Sequence, residues 1–191
     1  MNPVLKNEIK NCLDVLNKEG TILYPTDTIW GIGCDATSQK AVEKIYRIKM
    51  RPEIKSLIIL LADMKEISTY VKTIPDLAWD LMKNVERPLT IIYPNAQNLA
   101  KNVIHQDNSI AIRIVKNEFC IELIRAFGKP IVSSSANVSG EQPPLVFKNI
   151  SNNILDHVDY IVTLYQDLLQ EVKPSRIIKL KENGEFHIIR S

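Results

Sequence analysis

The chain has 191 residues, which suits one domain able to bury a core without disulfide or metal staples. Hydrophobic residues make up 45% and charged residues 24%, the ordinary balance of a soluble globular protein. A formal net charge of only +2 excludes a protein that coats nucleic acid by bulk charge, although a local basic cleft fits inside a near-neutral total.

Leu5, Ile9, Cys12, Leu13 and Leu16 recur at helical spacing, and Gly20 closes that helix. Residues 21–25 read as a strand, and a polar, glycine-containing loop from Thr26 to Thr37 follows. A helix is predicted from Ser38 to Met50 with Ala41, Ile45 and Ile48 on its buried face, and Pro52 stops it. The unbroken apolar run from Leu57 to Leu61 predicts a buried strand. Asp63 and Glu66 form a capping box at the start of another helix, and residues 76–84 are predicted helical too. Strands are expected at 89–93 and 109–115. Asn117 caps a helix that runs to Phe127 and ends at Gly128. A short strand at 131–134 runs into a serine-rich loop. A weaker helix over 147–155 and a strand over 160–164 come next. The loop from Gln166 to Pro174 carries charge and a proline and is expected to be mobile. The chain closes on a hairpin, 176–180 and 186–190, around an Asn183-Gly184 turn. Alternating helices and strands with a terminal hairpin predict an α/β fold on a mixed sheet, as one domain over 1–191.

The three cysteines, Cys12, Cys34 and Cys120, and the three histidines, His105, His157 and His187, lie far apart and show no metal-ligand spacing. With no apolar signal core at the N-terminus and no membrane-length apolar run, the expected place is the cytoplasm.

Chemistry concentrates in a few segments. Residues 25–35, PTDTIWGIGCD, put hydroxyls, a carboxylate and two glycines directly after a strand, where α/β proteins bind ligands. Gly31-x-Gly33 running to Ala36 also fits a dinucleotide fingerprint, but Thr26 to Trp30 separates it from the strand, so a plain turn is the simpler reading. Lys49, Arg51 and Lys55 follow a helix end: either a solvated basic turn or a clamp for phosphate or carboxylate. In residues 131–140, IVSSSANVSG, a strand opens into hydroxyl and amide donors, again either a turn or a polar-ligand loop. Arg113 sits among apolar strand residues and therefore needs a partner, whereas Arg190 reads as a strand end. Neither a P-loop nor a G-x-S-x-G elbow occurs.

Taken together and in order, Tyr24 to Gly33, Lys49-x-Arg51, Pro88-Leu-Thr90, Ala111-Ile-Arg113 and Ser134 to Gly140 resemble the YrdC/TsaC family of threonylcarbamoyl-AMP synthases in its short, single-domain form. The resemblance runs from about Gly20 to Arg190. It implies a YrdC-like twisted mixed β-sheet flanked by helices around a concave basic cleft. It also implies an enzyme that converts L-threonine, bicarbonate and ATP to threonylcarbamoyl-AMP and pyrophosphate for tRNA modification. On this pattern Lys49 and Arg51 are catalytic. Thr28, Arg113, Ser135 and Ser175 bind threonine, and Arg51, Lys55, Ser109, Asn137 and Arg190 bind the nucleotide. No metal is held by the protein; Mg²⁺ arrives with ATP. Expected partners are tRNA-modification proteins that use the product, with a tRNA or double-stranded RNA contact as a further expectation and no membrane. The chain departs from the pattern at Ser56, at residues 85–87, at Val115-Lys-Asn117 and at Arg176. The main rival is an RNA-binding paralogue that makes no adenylate; steep salt dependence of RNA binding without turnover would mark it. A nicotinamide oxidoreductase rests on the glycine match alone.

Overall fold

The computed structural model describes residues 2–50, 57–83, 87–167 and 174–191; Arg51, Lys55, Ser56 and most of the Gln166–Pro174 loop lie outside them. Nine strands form one mixed sheet: β1 (Ile22–Tyr24), β2 (Gly31–Gly33), β3 (Ile58–Leu61), β4 (Leu89–Tyr93), β5 (Ile110–Ile114), β6 (Ile131–Ser135), β7 (Tyr160–Ile161), β8 (Arg176–Leu180) and β9 (Phe186–Arg190). Their spatial order is β7-β1-β2-β6-β3-β5-β4-β8-β9. The helices are α1 (Pro3–Leu16), α2 (Gln39–Ile48), α3 (Ile67–Tyr70), α4 (Asp76–Lys83), α5 (Glu118–Phe127) and α6 (Asn152–Leu155).

Local signals explain most boundaries. Asn2 accepts from the Val4 amide ahead of Pro3, Ser38 caps α2 through the Ala41 amide, and Asn117 caps α5 through the Cys120 amide. Gly128 ends α5 in the left-handed region at φ 70°, where a β-carbon is strained. Two expectations change. Residues 31–33 form a strand inside the predicted loop, antiparallel to β1 and to β6. The predicted helix over 147–155 is instead a 3-10 turn (Phe147–Asn149) and the short α6, because Ile150 between them is extended at φ −73°, ψ 128°.

Alternation along the strands divides the core between the two faces of the sheet. Ile22, Tyr24, Leu60 and Ile131 pack with α1 and α5 through Leu5, Ile9, Cys12, Phe119 and Leu123. Leu23, Ile59, Leu61 and Val132 point the other way, into a core with Ala41, Ile45 and Tyr46 of α2. Burial raises the Cys12 thiol to about 12 and lifts Cys34 and Cys120 as well, so the three cysteines are packing residues. Among the described residues, no helix is long and apolar enough to cross a membrane.

In-register pairing continues the α1/α5 face past those helices. Leu60, Arg113 and Thr90 form one cross-strand row, extended through Ile177 to Arg190. Ile58, Ala111 and Ile92 form the next. Leu60 is still covered by the helical core. Beyond it, this face becomes the floor of a cavity.

Candidate functional site: a polar cavity on the sheet

The cavity holds about 340 Å³ and is lined by Thr28, the serines of β6, Arg113, Ser175 and Arg190, with His105 and the apolar Ile58, Ile92, Ala111 and Ile177. Five residues expected at the site, Thr28, Arg113, Ser135, Ser175 and Arg190, therefore share one space although the chain separates the first and last by 162 positions.

The loop after β1 is held by its own hydroxyls. Thr26 Oγ1 donates to the Ile29 carbonyl at 2.7 Å and accepts from the Thr28 amide at 3.0 Å. Its proton is thus committed, so the 2.9 Å contact with Thr28 Oγ1 is a bond that Thr28 donates. Thr28 Oγ1 keeps its acceptor lone pairs.

Arg113 is 4% exposed, and the partner that its burial requires is Asp27. Nη2 lies 3.2 Å from Asp27 Oδ1, with both side chains buried. The contact neutralises charge but is poorly directed: among the described residues Arg113 Nε and Nη2, and Asp27 Oδ1, make no hydrogen bond. Buried guanidinium donors without acceptors, on a cavity wall, suit an incoming carboxylate or phosphate.

Arg190 approaches from the edge strand. Its Nε donates to the Ser175 carbonyl at 2.9 Å and its Nη2 to Ser175 Oγ at 3.3 Å. Ser175 Oγ also meets Thr90 Oγ1 at 2.8 Å. Burial of the Arg190 guanidinium, then the charge on Arg113, lower its pKa. Two guanidiniums on one wall repel each other, and an anion between them relieves the repulsion.

The serine loop is fastened from behind. Lys49 closes α2 and is only 1% exposed, so of the two readings left open for this cation, a solvated side chain does not apply to Lys49. Its Nζ donates to the carbonyls of Ser135 and, at 2.6 Å, Asn137, while the Ser139 amide donates to the Lys49 carbonyl at 2.8 Å. Asn137 turns its amide inward, donating to the carbonyls of Val138 at 2.8 Å and Glu141 at 2.9 Å. Neither Lys49 nor Asn137 is on the cavity wall.

Ser109 also lies behind the wall. Its Oγ donates to Asp107 Oδ1 at 2.6 Å and meets His105 Nδ1 at 3.2 Å. Asp107 is held by Lys179 at 2.6 Å, and the Lys179 and Ser109 bonds lower its pKa to about 2. His105, rather than Ser109, reaches the cavity.

The glycine pair has a packing explanation. A β-carbon on Gly33 would stand 2.6 Å from both Tyr24 Cε1 and the Val132 carbonyl oxygen, and one on Gly31 would meet Ser133 Oγ at 3.2 Å. Close approach of β1, β2 and β6 demands these glycines; neither a dinucleotide fingerprint nor a positive-φ turn does. Asp27 and His105 were not picked out from sequence. Asp27 was visible inside the Thr-Asp-Thr loop, while His105 carried no signal.

Among the described residues no group of three His, Cys, Asp or Glu side chains stands where a metal ion could be held. The fold and cavity define an α/β protein with a polar cavity on one sheet face, walled in part by two guanidiniums. The chain belongs to the Sua5/YciO/YrdC family: the family model, described as "Telomere recombination", matches residues 14–191. Curated relatives include the threonylcarbamoyl-AMP synthase of Escherichia coli strain K12, 31% identical over 151 residues, covering 74% of this chain and 76% of that protein. The threonylcarbamoyl-AMP synthase of Psychromonas ingrahamii is 32% identical over 161 residues, covering 80% and 84%. Among solved structures, E. coli YciO superposes with a TM-score of 0.84 at 25% identity, covering 100% of this chain and 91% of that one. P. abyssi Sua5 complexed with L-threonine superposes with a TM-score of 0.82 at 25% identity over 90% of this chain. This chain spans about half the length of Sua5, 50% of the threonine-bound chain.

Proposed function

We propose that the chain is a threonylcarbamoyl-AMP synthase, carried above all by the buried, under-bonded guanidinium of Arg113 on the cavity wall. The names of the curated relatives and the threonine-bound Sua5 structure support the same reading. Arg113 takes the threonine carboxylate through its free donors. Thr28 Oγ1, left as an acceptor, takes a hydrogen bond from the ammonium or side-chain hydroxyl of threonine, and Ser135 and Ser175 complete a polar wall. The threonine amine, once deprotonated, captures bicarbonate as a carbamate and water is lost. A carbamate oxygen then attacks the α-phosphorus of ATP, and the bond to pyrophosphate breaks.

Charge builds on the leaving pyrophosphate, and cations placed there lower the barrier. Arg190 faces the nucleotide from β9, and Arg51 and Lys55 belong to the triphosphate in this reading. Lys49 acts differently from a mobile phosphate ligand: its amino group holds the carbonyls of Ser135 and Asn137 and so positions the serine loop. Mg²⁺ enters on the triphosphate and neutralises part of its charge. The protein works as a single domain in the cytoplasm, and its product passes to proteins that modify tRNA. The test is incubation of the pure protein with labelled threonine, bicarbonate and ATP. Adenylate and pyrophosphate should form only when all three are present; RNA binding with no such turnover overturns the reading.

A further inference from the structure

His105 carries a feature that the reaction above does not use. The single proton of Ser109 Oγ goes to Asp107 Oδ1, so the contact with His105 Nδ1 at 3.2 Å is one that the imidazole donates. This network assigns the proton to Nδ1 and leaves Nε2 as a lone-pair acceptor. Nε2 is buried and has no hydrogen-bond partner among the described residues, while the ring lines the same cavity as Arg113. Burial lowers the His105 pKa, with Lys179 adding to the effect and Asp107 opposing it, which favours the neutral ring.

Its position decides what it can meet. Ser109, immediately before β5, and Ala111 and Arg113 within it follow one another at alternate positions along the chain. Four extended residues span roughly 13 Å, so His105, tied to Ser109, stands at the far end of the floor from Arg113. Amine and carboxylate of an amino acid share one carbon, so a carboxylate on Arg113 leaves the amine well short of His105. Between the two ends lie the apolar Ile58, Ile92 and Ala111, a surface that suits a flat ring.

We propose that His105 reads the nucleobase: its Nε2 accepts a hydrogen bond from the exocyclic amine of adenine and selects ATP against nucleotides bearing a carbonyl there. This rests on the ATP-dependent reading above. The 6-oxo group of inosine or guanine would set oxygen lone pairs against the Nε2 lone pair and leave both unpaired.

The experiment compares ATP with ITP on the wild-type chain, His105→Ala and His105→Gln. Equilibrium binding of each nucleotide is measured by calorimetry, beside kcat/KM for adenylate formation and binding of threonine alone. Wild type should favour ATP; His105→Ala should reduce that preference about three- to tenfold by weakening ATP, and His105→Gln should recover part of it through its carbonyl oxygen. Threonine binding should be unchanged, since a collapse of the cavity would lower it with both nucleotides. An ATP-to-ITP ratio that stays the same in His105→Ala, or wild type that binds both equally, overturns the proposal. A chain that binds ATP selectively through His105 but makes no adenylate would instead overturn the synthase reading alone.

Discussion

Arg113 Nη2 and Asp27 Oδ1 lie 3.2 Å apart with both side chains buried, yet no hydrogen bond joins them. Asp27 supplies countercharge without using up the guanidinium's directional donors. Removing that countercharge leaves an uncompensated buried cation, an effect on the order of 3 kcal/mol. Asp27→Asn should therefore lower the unfolding midpoint clearly, and saturating threonine should raise the variant's midpoint more than the wild type's, because the substrate carboxylate replaces the lost charge. Equal threonine-induced shifts in thermal melting would remove Arg113 as the carboxylate's partner.

Lys49→Met should cost stability as well as turnover. The carbonyls of Ser135 and Asn137 lose a shared buried donor, and each unpaired polar group costs about 1–3 kcal/mol. Urea unfolding should show the loss, and the variant should bind threonine and ATP more weakly because the serine loop is no longer held. A fully stable Lys49→Met that loses only turnover would return Lys49 to the role of a direct phosphate ligand.

Gly33→Ala tests the strand reading of the glycine pair. The added methyl meets Tyr24 and the Val132 backbone at 2.6 Å, and overpacking of this kind costs about 1–3 kcal/mol. A urea midpoint matching the wild type would mean that the three strands can separate to admit it.

The imidazole of His105 should titrate below the usual 6.5 when followed by NMR. Burial depresses it; the facing charges are Asp107, which raises it, and Lys179, which lowers it. Between the folded-state pKa and about 6.5 the unfolded chain then binds more protons than the folded one, so stability falls as pH drops through this window and is flat above it. A midpoint above 6.5 would mean that Asp107 outweighs burial.

Substrate choice probes the polar wall. Serine lacks only the methyl of threonine, worth about 1–3 kcal/mol of discrimination, and should be a poor but measurable substrate. Valine keeps the shape but leaves Thr28 and the serines unpaired, so its catalytic efficiency should fall further. Valine turning over as well as threonine would move the amino acid away from Thr28 and Ser135.

Much of the fold is legible because its signals are local. Asn117 and Gly128 bracket α5, and Asn183-Gly184 joins β8 to β9. β2 escapes such reading because two of its three residues are glycine, and only its neighbours β1 and β6 make it a strand. The helix expected over 147–155 fails for a related reason: helical spacing of apolar residues does not reveal an extended Ile150. At the site, hydroxyl and guanidinium residues stand out by type, and the sheet gathers Thr28, Arg113, Ser135, Ser175 and Arg190. Lys49 looks like a surface cation because its partners lie 86 and 88 residues further along the chain. His105 is invisible for the same reason in reverse: its meaning comes from what Ser109 does with one proton.

The cavity takes Thr28 from near the first strand and Arg190 from the last, across nearly the full width of the sheet. Ligand binding is therefore wired to the integrity of the whole molecule. On the proposed function, a nucleotide bridging Arg190 and the floor of β5 would act as a clasp on the outermost hairpin, whose strand β9 is exposed along its length. Amide exchange along β8 and β9 should slow first and most when the cavity fills, giving a readout of occupancy that needs no chemistry to take place.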